Sequence, residues 1–187
     1  MLNQELIKLL ETKISSYRDV RERYAKHILS NKDLFLPLLK IAFEVNNKTS
    51  IRACWVLEFV LREKLEWIFP HLNYFVENIS KIHFDSSTRP IAKICEFLAK
   101  DYTSKKETKI KKHLTKKHID TIIETGFDWL ISDQKVAVKV YTMESLFLFG
   151  KEKNWVHDEL KLIIQQEIMN GSPAYKARGK RILKRLK

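Results

Sequence analysis

Residues 33–43, DLFLPLLKIAF, and residues 66–76, EWIFPHLNYFV, follow one pattern, with Pro37 and Pro70 at matching places 33 residues apart. The stretches that follow them also align. SIRACWVLEFVL (50–61) matches TRPIAKICEFLA (88–99), so Glu58 and Glu96 occupy equivalent positions. A third copy is readable in FDWLISDQKVAVKVYTMESLFL (127–148), with Glu144 in the same role, and a weaker fourth pairs 157–169 with 173–187. The glutamates are spaced by 38 and then 48 residues. The ten extra residues fall in the lysine-rich stretch 102–118, which reads as an insertion between repeats. Each copy is a pair of helices, and a recurring pair of this length cannot bury its apolar face without a neighbour.

Outward from the repeats, apolar residues keep a helical rather than an alternating period. Leu2, Leu6, Leu9 and Leu10 share one face, and Val20, Tyr24 and Ile28 form the stripe of a second helix. Asp33 is placed as the N-cap of a helix running to Val45, and Thr49 or Ser50 as the cap of one running to Lys64. Residues 65–82 read as one helix containing Pro70, and Ser86 or Ser87 opens another that ends near Tyr102. Four more are expected near 116–131, 134–149, 153–169 and 173–187. Gly150 reads as a terminator, and Ser172-Pro173 as a cap followed by proline at the first helical position. No run of β-branched residues between turns reads as a strand. With only four glycines and four prolines, the chain is expected to be all-α, with 9–10 helices.

A length of 187 residues suits a single domain or a short array of repeats. Two isolated cysteines, Cys54 and Cys95, exclude a disulfide scaffold and a cysteine-rich metal site. The first residues show no basic leader and no long apolar run, so neither a signal peptide nor a membrane span is expected, and a cytoplasmic location follows. The formal charge of +12 is concentrated. Residues 102–118 carry +6 and residues 176–187 carry +7, so the other 158 residues sum to −1. Such segments steer phosphates or acidic proteins. Equally, they serve as a solvated loop and as a helix end that complements the macrodipole.

A first helix with a central proline, a short polar turn, and a second helix entered near Arg52-Ala53 is similar to the HEAT repeat. The resemblance covers residues 30–187. It implies a right-handed α-α superhelix of stacked antiparallel helix pairs in one domain, with residues 1–31 as a capping element. Pairs 33–64, 65–102, 116–150 and 153–187 would follow, with 102–118 as a basic insertion. The third copy lacks the proline and the arginine, and Gly126 falls inside a helix, at a cost of about 1 kcal/mol against alanine. A generic α-bundle is the alternative. HEAT arrays act mostly as binding scaffolds, so the resemblance speaks to architecture more than to activity.

Glu58, Glu96 and Glu144 interrupt strongly apolar helices, and a carboxylate there must be paired or must line a groove. One expectation is an acidic and aromatic row on a concave face, built from Arg52, Trp55, Glu58, Arg89, Glu96, Trp129, Tyr141 and Glu144. The other is that each glutamate pairs internally, for example with Arg52, Arg62 or Arg89. Trp55 and Tyr141 each precede a glutamate by three residues and so share its helix face. The cations available to phosphates or an acidic partner are Lys105, Lys106, Lys109, Lys111, Lys112, Lys116 and Lys117, with Lys176, Arg178, Lys180, Arg181, Lys184 and Arg185 on the last helix. The histidines lack metal-ligand spacing, the glycines form no phosphate loop, and neither cysteine has a histidine close in sequence.

No cofactor is implied. The expected function is therefore a non-catalytic scaffold for a protein or peptide partner. The alternative is nucleic-acid binding, of the kind seen in bacterial DNA alkylation-repair proteins, which share HEAT-like helices and a mixture of Trp, Glu and Lys. On that alternative Trp55, Trp129 or Tyr141 would face a base, and Glu58 or Glu144 a cationic lesion. Adenylosuccinate lyase activity is not expected. That family resembles this chain only in being helical, is much longer, and carries a Ser-Ser-x-Met-Pro loop that Ser15-Ser16 and Ser86-Ser87 do not reproduce.

Overall fold

The computed structural model describes residues 2–186; Met1 and Lys187, included in the expected first and last segments, lie outside the described residues. Ten α-helices account for most of the chain, and no strand occurs among the described residues. The chain divides into two compact units, Met1–Ile94 and Cys95–Lys187.

Unit 1 contains α1 (Leu2–Lys13), α2 (Arg18–Ser30), α3 (Phe35–Ala42), α4 (Thr49–Glu63), α5 (Leu72–Asn78) and the first part of α6 (Asp85–Tyr102). Its centre is α4, which is apolar nearly all round and buries Ala53, Cys54, Val56, Leu57, Phe59, Val60 and Leu61 against α1, α2 and α3. Each large side chain buried this way contributes about 1.5–3 kcal/mol. The Asn47 side chain closes the turn just before α4, its Oδ1 accepting from Thr49 N–H at 2.9 Å. That frees the Thr49 hydroxyl to donate to Glu11 on α1. Asp33 does not cap a helix; it lies in a 3₁₀ turn, and α3 begins at Phe35. The single helix expected over 65–82 is replaced by a 3₁₀ stretch, Leu65–His71, followed by the short α5 and another 3₁₀ turn. Pro70 is the physical reason, because it has no N–H to donate and its ring crowds the preceding turn.

Unit 2 contains the last part of α6, then α7 (Lys116–Ile131), α8 (Val136–Phe149), α9 (Asn154–Glu167) and α10 (Pro173–Arg185). Here α8 is central, with α7, α9 and α10 packed on it. Gly126 marks the close approach of α7 to α8: a Cβ there would stand 3.1 Å from the Leu146 side chain. Gly150 also serves space rather than conformation. Its φ of −62° suits any residue, but an added Cβ would overlap the His157 ring. Ser172 and Pro173 start α10 as expected, with the Ser172 hydroxyl accepting from Tyr175 N–H. Thr115 and His118 form a reciprocal capping box at α7.

The lysine-rich stretch is ordered. Thr103 and Thr108 donate to the carbonyls of Ala99 and Asp101, a 3₁₀ turn covers Lys109–Lys112, and Ile110 and Leu114 are buried. Two apolar anchors thus hold the segment while its lysines stay in solvent. Each unit also buries one thiol. Burial pushes Cys54, which donates to the Ala42 carbonyl, up to about 12, and pushes Cys95 up to about 12.

Candidate functional site

In unit 1 a buried carboxylate organises the charge. Glu58, only 2% exposed, sits on α4 among apolar side chains. Its Oε1 accepts from Arg62 Nη2 one turn later, and its Oε2 accepts from Arg89 Nη2 on α6, both at 2.8 Å. The two aromatic residues of the same helix hold a third guanidinium. Arg21 of α2 lies 5.9 Å from the Trp55 ring and 5.4 Å from the Phe59 ring, while Arg62 covers Phe59 at 4.5 Å. Burial, and then the charge of Arg89, lowers the Arg21 pKa, partly offset by Glu58. Trp55 is itself fixed by donating from Nε1 to the Ser86 carbonyl at 2.9 Å.

Unit 2 repeats the theme with different partners. Glu144 on α8 accepts from Arg178 at 2.7 Å and from Arg185 Nη1 at 2.9 and 3.1 Å, so both carboxylate oxygens are used. Arg178 and Arg185 are seven residues apart on α10, two helical turns, and therefore share one face. Arg185 also lies 3.8 Å above the Phe147 ring, which stacks on His157 at 5.2 Å. Burial alone would raise the Glu144 pKa. The hydrogen bond and charge of Arg185, reinforced by Arg178, outweigh it and hold the group below the ordinary carboxylate value. Glu96, on the part of α6 belonging to this unit, lies 2.6 Å from Lys100 and 3.9 Å from Arg178.

The residues expected to bind therefore separate into three sets. Glu58 and Arg89 meet, with Trp55 on the same helix. Glu96 and Glu144 are joined through Arg178. Arg52 is apart from these, donating to the Ile14 carbonyl at 3.2 Å, while Trp129 is buried and Tyr141 half-buried. The expected cations separate too. Arg178 and Arg185 are engaged by Glu144. The other eleven, Lys105 to Lys117 in the insertion and Lys176, Lys180, Arg181 and Lys184 on α10, have no carboxylate within ion-pair distance among the described residues. All but Lys176 are exposed. Unit 2 thus holds +8 of the net +12 charge.

Arg21 escaped the sequence reading because nothing in its own polar helix marks it. Only its stacking on α4 does so. Clefts of about 520 Å³ beside Leu6, Leu9 and His27, and of about 470 Å³ beside Lys139, Glu167 and Tyr175, lie away from both clusters. The described residues contain no group of three or more His, Cys, Asp or Glu side chains placed to hold a metal, and none of their helices is long and apolar enough to cross a membrane. Comparison of the chain with protein-family models, curated proteins and solved structures finds no match among them.

Proposed function

We propose that the protein is a binding protein whose ligand is nucleic acid, held through its phosphate backbone by unit 2. One observation carries this reading. The buried glutamates are each paired with internal cations, whereas eleven further lysines and arginines in two segments have no carboxylate within ion-pair distance among the described residues. Carboxylates engaged in this way offer little to a basic peptide, so the acidic-row reading loses its ligand while the cationic one keeps its own. Ordered lysines around a 3₁₀ turn and along a helix suit a regularly spaced polyanion. A HEAT-like arrangement of the helix pairs belongs to the same proposal. The relation Glu58–Arg89, from one repeat's second helix to a later one, recurs as Glu144–Arg178, at separations of 31 and 34 residues.

The test is anisotropy with a labelled DNA duplex and an RNA strand at about 50 and 200 mM salt. Contact with about six phosphates would cost roughly a thousandfold in affinity across that range. Replacing Lys105, Lys106, Lys111 and Lys112 together by Gln should flatten the salt slope by about three to four and leave the melting temperature unchanged. No binding at the lower salt would end the reading.

A protein partner is the second reading, and one observation favours it. Trp155, Leu162 and Met169 are 52%, 49% and 77% exposed at seven-residue spacing on and just after α9, which makes an apolar stripe. If that stripe is the working surface, Leu162→Glu abolishes partner capture and leaves nucleic-acid binding intact.

A further inference from the structure

The cluster around Glu58 in unit 1 carries more positive charge than it neutralises. Arg21, Arg62 and Arg89 converge near one carboxylate, a surplus of two charges, and Arg18 adds nothing because it is paired with Glu22 at 2.7 Å. Arg62 and Arg89 each give one Nη2 group to Glu58, and a guanidinium has five N–H donors, so most remain to be used. Arg21 donates only from Nε, to the Tyr17 carbonyl at 3.4 Å, and no carboxylate lies within ion-pair distance of it among the described residues. Guanidiniums fixed by a buried carboxylate and by ring faces are pre-organised for an oxyanion, since little side-chain freedom is left to lose. A cleft of about 370 Å³ opens beside this cluster; Phe59 and Arg62 line it together with Arg18, Lys26, Glu22 and Glu63, while Arg21, Arg89 and Trp55 stand outside its wall. A surplus of two charges matches a phosphomonoester dianion better than a singly charged diester.

We propose that unit 1 holds a binding site for a phosphomonoester dianion, formed by Arg21, Arg62 and Arg89 with Trp55 and Phe59 as its apolar floor. This goes beyond nucleic-acid binding by unit 2, whose lysines form no part of it.

The experiment is calorimetric titration of the intact protein with inorganic phosphate, followed by the 5′-phosphorylated and 5′-hydroxyl forms of one short oligonucleotide. Saturable phosphate binding is expected, tightening as the pH rises through the second ionisation of inorganic phosphate near neutrality, where the dianion forms. Arg21→Gln leaves both hydrogen bonds of Glu58 in place, so an unchanged melting temperature with phosphate affinity reduced about tenfold supports the site. Arg62→Gln gives an independent reduction. Preference for the phosphorylated oligonucleotide identifies a nucleic-acid end as the source of the group, and equal binding of the two forms identifies a small phosphate ester. Absence of saturable phosphate binding, or binding that survives both variants, overturns the proposal. The lysine variant of unit 2 separates the two readings, because it should lose oligonucleotide affinity while inorganic phosphate still binds.

Discussion

Glu58 and Glu144 are buried glutamates on the central helices of their units, yet they fasten different things. Glu58 accepts once from an arginine on its own helix and once from an arginine on α6, and it leaves Arg21 uncompensated. Glu144 accepts only from α10, with three hydrogen bonds from Arg178 and Arg185. The apolar packing around them explains the contrast. α4 buries most of its side chains, whereas α10 buries only Tyr175, Gly179 and Ile182. In unit 2 the carboxylate is therefore a polar tie on a lysine-rich helix that buries few side chains of its own. In unit 1 it orients guanidiniums on a scaffold that is already firm.

Glu144→Ala should break this contrast most visibly. It strands two partly buried arginines, with an expected loss of about 3–5 kcal/mol and faster amide exchange confined to α10. Acid should act on the same contact. Because the folded pKa of Glu144 lies below its unfolded value, its contribution is fully present above the ordinary value of 4.5 and disappears as pH falls through the folded value. Glu144→Gln should flatten that part of the stability–pH curve, and a curve of unchanged shape would remove Glu144 from the account. Glu58→Gln should cost less, about 1.5–3 kcal/mol in urea denaturation, because the amide oxygen still accepts and the apolar helix stays packed. Equal losses for the Glu58 and Glu144 variants would erase the distinction between the units. Gly150→Ala should give the smallest effect of the three, about 1–2 kcal/mol from crowding of His157, despite a backbone that tolerates alanine.

Much of this architecture is legible in periodicity. The helices at 116–131 and from Pro173 onward are found as expected, because local caps and apolar spacing decide them. That Glu58, Glu96 and Glu144 are buried also follows from their apolar neighbours. Their partners are legible only in part. Arg62 and Arg89 are among the partners the sequence suggests, and both donate to Glu58. Arg178 and Arg185 read instead as cations open to a phosphate or acidic partner, yet they turn inward to Glu144 from 34 and 41 residues away, where nothing local marks them. Gly150 teaches the same lesson on a smaller scale. α8 does end at Phe149 with Gly150 as its cap, but the backbone there needs no glycine, and the neighbouring His157 ring is what excludes a side chain.

The two buried thiols make each unit its own reporter. Cys54 belongs to unit 1 and Cys95 to unit 2, and neither is accessible or ionised near neutral pH in the folded state. A thiol-reactive label can modify them only when the surrounding helices open. The alkylation rate of Cys54 in a Cys95→Ala background, and the converse, would clock the opening of the helices around each thiol, with no probe introduced by design.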